Sequence, residues 1–456
     1  PTAGVEGAGD LGHGDAHGSG RSRALFERTR QLVPAGVNSN TRATTPYPLY
    51  FRRAQGPYAW DVDENRYIDL VMGNGAIIHG HGHPRVSEAV HRAVDSGLST
   101  GLESELSAAA AERFLRLVPT MEMVRFTNTG TEAVMHAVAI ARAVTGRNGL
   151  AKVEGAYHGW YDPVNVSVWQ APERGGDAAH PRPVPETAGL DEEWTQRTLI
   201  LPFNDVAATE ALVEENATRL AAILVEPVLI DVGFIPATKE YLQSLRTLCD
   251  RFGIVLLFDE LLTGFRLARG GAQEYYGVVP DLATFGKGLA NGYPLAAVAG
   301  RADLMRLTEP GPGRPAFTGT FNGHTIALAA AVASLDLLAE QDVAGLLERR
   351  TAVLRDAFAS SAREVGIPAY LASGGGHFQW YFVPRPVRSV REAAASDRRA
   401  AELFRRALAS GGYLTLPNPL THHALSTAHD DTLVADLAEA FRRALGQAAR
   451  AQAQTD

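Results

Sequence analysis

Cysteine is almost absent: Cys249 is the single one in 456 residues. One thiol cannot make an internal disulfide framework, and its presence alone fits a reducing, cytoplasmic setting. Cys249 lies in LRTLCDRFG, an amphipathic helical pattern. It therefore reads as a buried structural thiol, not a nucleophile. Long apolar runs are also missing. None approaches the length of a membrane span, and the first residues lack an apolar signal core, so no membrane association is expected. Positive charge is not in surplus. The formal net charge is −8 and the pI about 6.0, which argues against broad nucleic-acid binding. No internal repeat is visible. Residues 1–20 are rich in glycine and short of large apolar side chains, so a flexible tail is expected there.

What is present looks like a soluble globular enzyme. Hydrophobic residues make up 45% and charged residues 21%, which is ordinary for a folded chain of this size. The length is enough for one large core with one or two smaller units attached. Residues 21–33 look helical, and 34–39 form a loop leading to Arg42. Tyr58 to Leu70 alternates apolar and polar residues about an Asp-Glu-Asn turn, which predicts a hairpin. His79, His81 and His83 alternate with glycine in GHGHP and its approach. Without a helical scaffold or a carboxylate cluster they predict a turn packed near the functional site, and no metal centre.

From Met123 the pattern becomes strand, loop, helix. Strands are predicted at Met123–Thr127, Leu150–Val153, Thr198–Leu201, Ala221–Glu226, Ile254–Phe258, Leu282–Phe285 and Leu295–Ala299. Helices are predicted at Glu132–Thr145, Thr209–Glu215 and Thr238–Phe252. Apolar strands alternating with helices imply α/β architecture, a mainly parallel seven-stranded sheet covered on both faces. From about Gly323 the pattern changes to helices (Thr325–Glu340, Val343–Val365, Arg398–Ser410, Thr432–Arg450) with short strands (Phe378–Val383, Tyr413–Leu416). This predicts a smaller α+β C-terminal domain. The expected division is a tail (1–20), an N-terminal segment packing with the small domain (21–75), a large domain (76–325) and the small domain (326–456). The polar, proline-rich stretch from Gln170 to Ala188 reads as a long functional loop.

Three short stretches carry chemistry. In DLATFGKGLANGYPLAAVAG, Lys287 sits at a glycine-flanked turn between two apolar strands. A lysine in such a semi-apolar turn can lose its proton at modest cost and act as an amine nucleophile. In NTGTEA, Thr129, Gly130 and Thr131 lie where a strand ends and a helix begins. Free N–H groups and the helix dipole favour an anion there; a plain helix cap is the alternative reading. In FDELLTGFR, Asp259 ends a strongly apolar strand, and a buried carboxylate needs a partner. That partner is either a protonated ring nitrogen of a cofactor or Arg266. Asp259 and Lys287 are one β-α-β crossover apart, so both belong at the carboxyl ends of nearby strands, where ligands bind. An anion cradle, a strand-end acid and a strand-end lysine are what pyridoxal phosphate requires. Tyr157, in EGAYHGW, is the candidate aromatic over its ring. His158 beside it is either a support for the site or a structural histidine.

These motifs, with TGTFNGH (318–324), VPAGVNS (33–39), WDVDENRYIDL (60–70) and PDLATFGKG (280–288), resemble the class III, fold-type I aminotransferases. The similarity is strongest to the glutamate-1-semialdehyde aminomutase branch and covers roughly residues 22 to 445. It implies pyridoxal 5'-phosphate as cofactor, with Lys287 as the Schiff-base lysine and Asp259 as the ring-nitrogen partner. It places Thr129, Gly130 and Thr131 at the phosphate, Tyr157 against the ring, and His158, Glu226 and Asp231 among the cofactor contacts. Gly319 and Thr320 would reach the phosphate of a neighbouring subunit, implying a homodimer with shared active sites. Arg42 would grip a substrate carboxylate, as a bidentate donor suits; otherwise it is a surface arginine. Asn74 stands where the aminomutases carry a tryptophan, and Thr421 where they carry an acid. Pro417, Asn418, Pro419, His422 and His423 fall in the region that selects substrate. The implied activity is transfer of an amino group between a small-molecule amino donor, with β-amino and other non-standard amino acids among the candidates, and a carbonyl acceptor. An intramolecular aminomutase and an amino-acid racemase or epimerase are the alternatives on the same scaffold.

Overall fold

The computed structural model describes residues 20–97, 101–169, 172–417 and 421–453. The predicted tail up to residue 19, and Asn418 and Pro419, lie outside the described residues, as do positions 170 and 171 of the long loop. At its centre is a seven-stranded sheet. In chain order its strands are β1 (Met123–Thr127), β2 (Gly149–Val153), β3 (Thr198–Leu201), β4 (Leu220–Val225), β5 (Val255–Asp259), β6 (Leu282–Phe285) and β7 (Ala296–Gly300). Their spatial order is β1-β7-β6-β5-β4-β2-β3. Every pairing is parallel except the two made by β7, which runs antiparallel to β6 and to β1. All seven predicted strands are present within about one residue of their expected bounds. They are legible because β4 to β7 are buried along their whole length, and a strand covered on both faces is apolar without a break.

Helix Gly130–Thr145 shows how the sequence fixes an element at the site. Thr129 caps it: its side chain accepts from the Glu132 N–H, while the Glu132 carboxylate accepts from the N–H groups of Thr129 and Asn128. This capping box satisfies donors that a helix start leaves unpaired. Ala133, Val134, Ala137, Val138, Ile140 and Ala141 are buried and pack with Leu224, Leu257, Leu282 and Val298 of the sheet. Gly146 ends the helix in the left-handed conformation, φ 67°. The burial pins the helix N-terminus against the carboxyl end of the sheet.

The N-terminal hairpin pairs Tyr58–Asp61 with Arg66–Asp69. Asp61 organises its turn by accepting from the N–H groups of Asp63 and Asn65 and from the Tyr67 hydroxyl. Arg66–Asp69 also pairs in parallel with Tyr413–Leu414, so the two ends of the chain share one small sheet. A second small sheet joins Tyr370–Gly374, His377–Tyr381 and His423–Ala424. The long helices Val343–Val365, Arg398–Ser410 and Asp431–Ala453 pack against it, while helix Thr325–Glu340 packs on Pro84–Asp95 and Glu105–Leu117. Cys249 is buried in helix Lys239–Phe252, and burial pushes its thiol pKa up, so it is packing, not chemistry. No helix among the described residues is long and apolar enough to cross a membrane.

Candidate active site

β5 and β6 are neighbours, with Asp259 opposite Thr284. β6 ends at Phe285, and two residues later the chain turns at Lys287, which adopts a left-handed φ of 48°. A lysine rarely takes this conformation, and the surroundings enforce it. Asn291, also left-handed, accepts from the N–H groups of Ile78 and His79 and donates to the Gly80 carbonyl. Ser334 donates to the Gly288 carbonyl. The lysine turn is thus fastened both to the histidine loop and to helix Thr325–Glu340.

Lys287 opens into a cavity of about 260 Å³ lined also by Thr129, Gly130, Thr131, Tyr157, Glu226, Asp231 and Asp259. Eight predicted site residues, Lys287 included, therefore meet in one place. The chain has three lysines, Lys152, Lys239 and Lys287. Lys152 is buried with its Nζ donating to the Val166 carbonyl, and Lys239 is exposed. Neither lines the cavity. Scarcity of lysine was a signal in the sequence that could have isolated Lys287 without any motif.

Asp259 is held from three directions. Its Oδ2 is 2.8 Å from Nδ1 of His158, while Oδ1 accepts from the Thr284 hydroxyl at 3.2 Å and the Leu261 N–H at 3.1 Å. It makes no ion pair with Arg266. That guanidinium is buried and spends its donors on the carbonyls of Gly75, Ile77, Gly375 and Leu425, with its pKa lowered by burial to about 9. His158 thus stands behind Asp259; it is buried, and its Nε2 meets no partner. Burial lowers the imidazole pKa, against the pull of the Asp259 charge.

Two more carboxyls share the space. Glu226 accepts from the Tyr157 N–H at 2.7 Å, and its pKa is raised well above normal by burial and then by repulsion from Asp231 and Asp259. Burial also raises Asp231; Lys287 opposes the rise and Asp259 adds to it. Tyr157 lies tilted against Trp169 with ring centres 5.0 Å apart, and burial raises its hydroxyl pKa to about 12. At the helix start, the N–H groups of Gly130 and Thr131 have no acceptor among the described residues. The Thr131 hydroxyl accepts from the Trp160 N–H. A Cβ on Gly130 would lie 2.5 Å from Leu261, and one on Gly286 would collide with the same side chain. Glycine at both positions lets Leu261 floor the cavity between the helix and the lysine turn.

The remaining predicted residues lie elsewhere. Arg42 ends the short turn Asn40–Arg42, with an exposed side chain, and does not line the cavity. Asn74 (φ 55°) is beside the lining residue Ala76 but is not itself part of the wall. Gly319 and Thr320 are exposed and line a separate open groove of about 1230 Å³; their loop touches the site through Asn322, which accepts from Asn128. His79 contacts the Ser334 carbonyl, and burial lowers its pKa to about 3, while His81 pairs with Asp69 at 2.8 Å. Among the described residues no group of three or more His, Cys, Asp or Glu could hold a metal. Leu261, Leu262, Tyr293 and Pro294 also line the cavity and were not singled out from the sequence.

A sequence model of the aminotransferase class-III family matches residues 39–368. The chain belongs to the class III aminotransferases. It is 39% identical over 413 residues to a glutamate-1-semialdehyde 2,1-aminomutase of Syntrophobacter fumaroxidans, covering 90% of this chain and 94% of that one. An ω-transaminase from Sphaerobacter thermophilus superposes with a TM-score of 0.89 at 35% identity, covering 94% of this chain and 98% of that one. A β-phenylalanine aminotransferase from Variovorax paradoxus gives 0.83 at 30% identity, covering 93% and 92%. The architecture is the fold-type I transaminase fold, and the cofactor of this class III aminotransferase is pyridoxal 5'-phosphate. The cavity fits that group. Two open N–H groups at a helix start suit a phosphate. Three carboxyls crowd around a single lysine, two of them with raised proton affinity, and a protonated ring nitrogen would relieve that excess of negative charge.

Proposed function

We propose that this protein is an aminotransferase moving an amino group between an amino donor and an oxo acid, with a β-amino or other non-standard amino acid as donor. The observation that carries the reading is the meeting of Lys287, Asp259 and the start of helix Gly130–Thr145 in one cavity. When bound, pyridoxal phosphate supplies an electron sink for the negative charge that develops on the substrate carbon. Lys287 anchors that group through its amine. The same amine would be the base that takes the proton from the amino-bearing carbon of the donor. Asp259, fixed by His158, Thr284 and Leu261, holds a proton at the ring nitrogen. Thr129, Gly130 and Thr131 bind the phosphate, and Tyr157 packs against the ring face. Glu226 supports Tyr157 through its backbone N–H.

Arg42 is assigned to a substrate carboxylate and Asn74 to the same end of the site. The β-amino donor is favoured by the likeness to the Variovorax paradoxus β-phenylalanine aminotransferase. Gly319 and Thr320 are assigned to the phosphate of a second copy, which makes the 1230 Å³ groove a homodimer surface. A cytoplasmic setting fits the single buried thiol.

A panel of amine donors and oxo acids, read by the visible spectrum and by product analysis, tests the reading. Conversion of a β-amino donor that requires an added oxo acid supports it; turnover of an amino aldehyde with no acceptor points instead to the intramolecular aminomutase. The Syntrophobacter fumaroxidans relative gives that second reading its standing.

A further inference from the structure

Each of the two aspartates in the cavity has an imidazole beside it. Asp259 and His158 are joined at 2.8 Å. Asp231 and His422 are not: Nδ1 of His422 stands 3.9 Å from Oδ1 of Asp231. Asp231 makes no hydrogen bond among the described residues, although it lines the cavity. His422 is buried, and so is His377, whose ring lies edge-on to it at 4.9 Å. The Asn74 backbone pulls on His422 and that of His423 on His377, yet among the described residues none of the four ring nitrogens has a partner at hydrogen-bond distance and angle. Leaving one such buried group unsatisfied costs roughly 1–3 kcal/mol, and of these imidazoles His422 is the one that stands beside an unbonded carboxyl of the cavity.

We propose that His422, steadied by His377, is a positioning residue that closes onto Asp231 when the cavity is filled and holds it as a carboxylate. Closure needs a movement of only about 1 Å to reach ordinary hydrogen-bond distance. His422 then donates from Nδ1, and Asp231 carries its charge at a fixed place beside the amine of Lys287. Without a donor, burial and the neighbouring Asp259 favour the protonated acid. Lys287 and Asp259 act on Asp231 directly; Glu226 and Tyr157 share its cavity, and His377 and Arg266 lie behind His422. Of these Lys287 favours the carboxylate, Asp259 and Glu226 oppose it, and neutral imidazoles leave the balance to the hydrogen bond.

The inference rests on the proposed cofactor role of Lys287, and the test separates the two. Cofactor-loaded protein is titrated with base, and the pH midpoint of the bound cofactor's visible absorbance is read. A carboxylate nearby stabilises the protonated form of the nitrogen carried by Lys287, so its loss lowers that midpoint. His422→Leu should lower it by about one to two units. His422→Asn, whose amide still donates, should leave the midpoint close to that of the wild type. In an Asp231→Asn background, His422→Leu should move the midpoint no further. His377→Phe should produce a smaller shift in the same direction. If His422→Leu leaves the midpoint where it is, or shifts it equally with and without Asp231, the inference is overturned. If His422→Leu does not fold, His422→Asn and Asp231→Asn decide. Asp231→Asn must lower the midpoint and His422→Asn must not, and any other pair of results overturns the proposal. If the wild-type protein takes up no cofactor, it is the proposed function that fails.

Discussion

Asp259 and Asp231 face the same cavity, and their surroundings differ. Asp259 terminates a fully buried strand and has three partners, two of them supplied by neighbouring sheet positions or the next turn. Asp231 lies in the segment after Val228–Leu229 and looks toward His422 and His377, whose ring nitrogens are unpaired. On one side the carboxylate is fully held before any ligand arrives, although the His158 Nε2 behind it has no partner among the described residues. The other holds polar groups that are satisfied only when something fills or closes it. The lesson is that a rigid sheet can pre-orient a charge, while elements brought from the far end of the chain leave room for adjustment.

The comparison breaks most readily at Lys287. Lys287→Ala should reduce turnover by on the order of 10⁴-fold, measured with any donor the panel identifies; full activity would remove the basis for both sides at once. Next come the two aspartates. Asp259→Asn should cost about 10²–10³-fold in kcat, the scale of losing a preorganised charge partner. Asp231→Asn should cost less than about 10-fold, because it starts without a hydrogen bond. Equal losses would contradict the distinction between the held and the unheld carboxyl. Gly130→Ala should weaken cofactor binding by about 10- to 100-fold, matching the roughly 1–3 kcal/mol cost of forcing a methyl against Leu261; a spectral titration with pyridoxal phosphate measures it.

A last effect is on stability, and it has a sign. His377, His422 and His423 all have pKa values pushed down by burial, His423 to about 3. The ordinary value, taken for the unfolded chain, is 6.5. Above that pH neither state binds the proton, and stability is full. As pH falls below it the unfolded chain takes up protons that the folded one refuses, so stability drops until the folded value is reached. At pH 5 each such group should cost about 2 kcal/mol. Denaturant melts between pH 7.5 and 5 should show this loss, and replacing His423 with Phe should reduce it. A flat profile would mean these imidazoles take up protons in the fold as readily as in the unfolded chain.

Much of this was legible in the sequence because it is local. Seven apolar runs bounded by glycine and proline gave seven strands, and a capping pattern at Thr129 and Glu132 gave the helix that faces the cavity. Asp259 and Lys287 fell together because one crossover separates them. What was not legible depends on contacts between distant residues. His158 reaches Asp259 across 101 positions, and Arg266 reaches Gly75 across 191. No periodicity reports such pairs, so Arg266 remained a possible partner of Asp259 until its four carbonyls were seen. The pairing of Arg66–Asp69 with Tyr413–Leu414 was hidden for the same reason. Arg42 was readable as a motif, but its exposed position outside the cavity was not.

The most direct measurement traps the cofactor on the protein. The chain offers three lysines, so borohydride reduction of the pyridoxal-phosphate-loaded protein, followed by peptide mass mapping, has few outcomes. The account predicts the added mass on the peptide containing Lys287, and none on those containing Lys152 or Lys239. Label on either of the others, or its persistence at full level in Lys287→Ala, would contradict it.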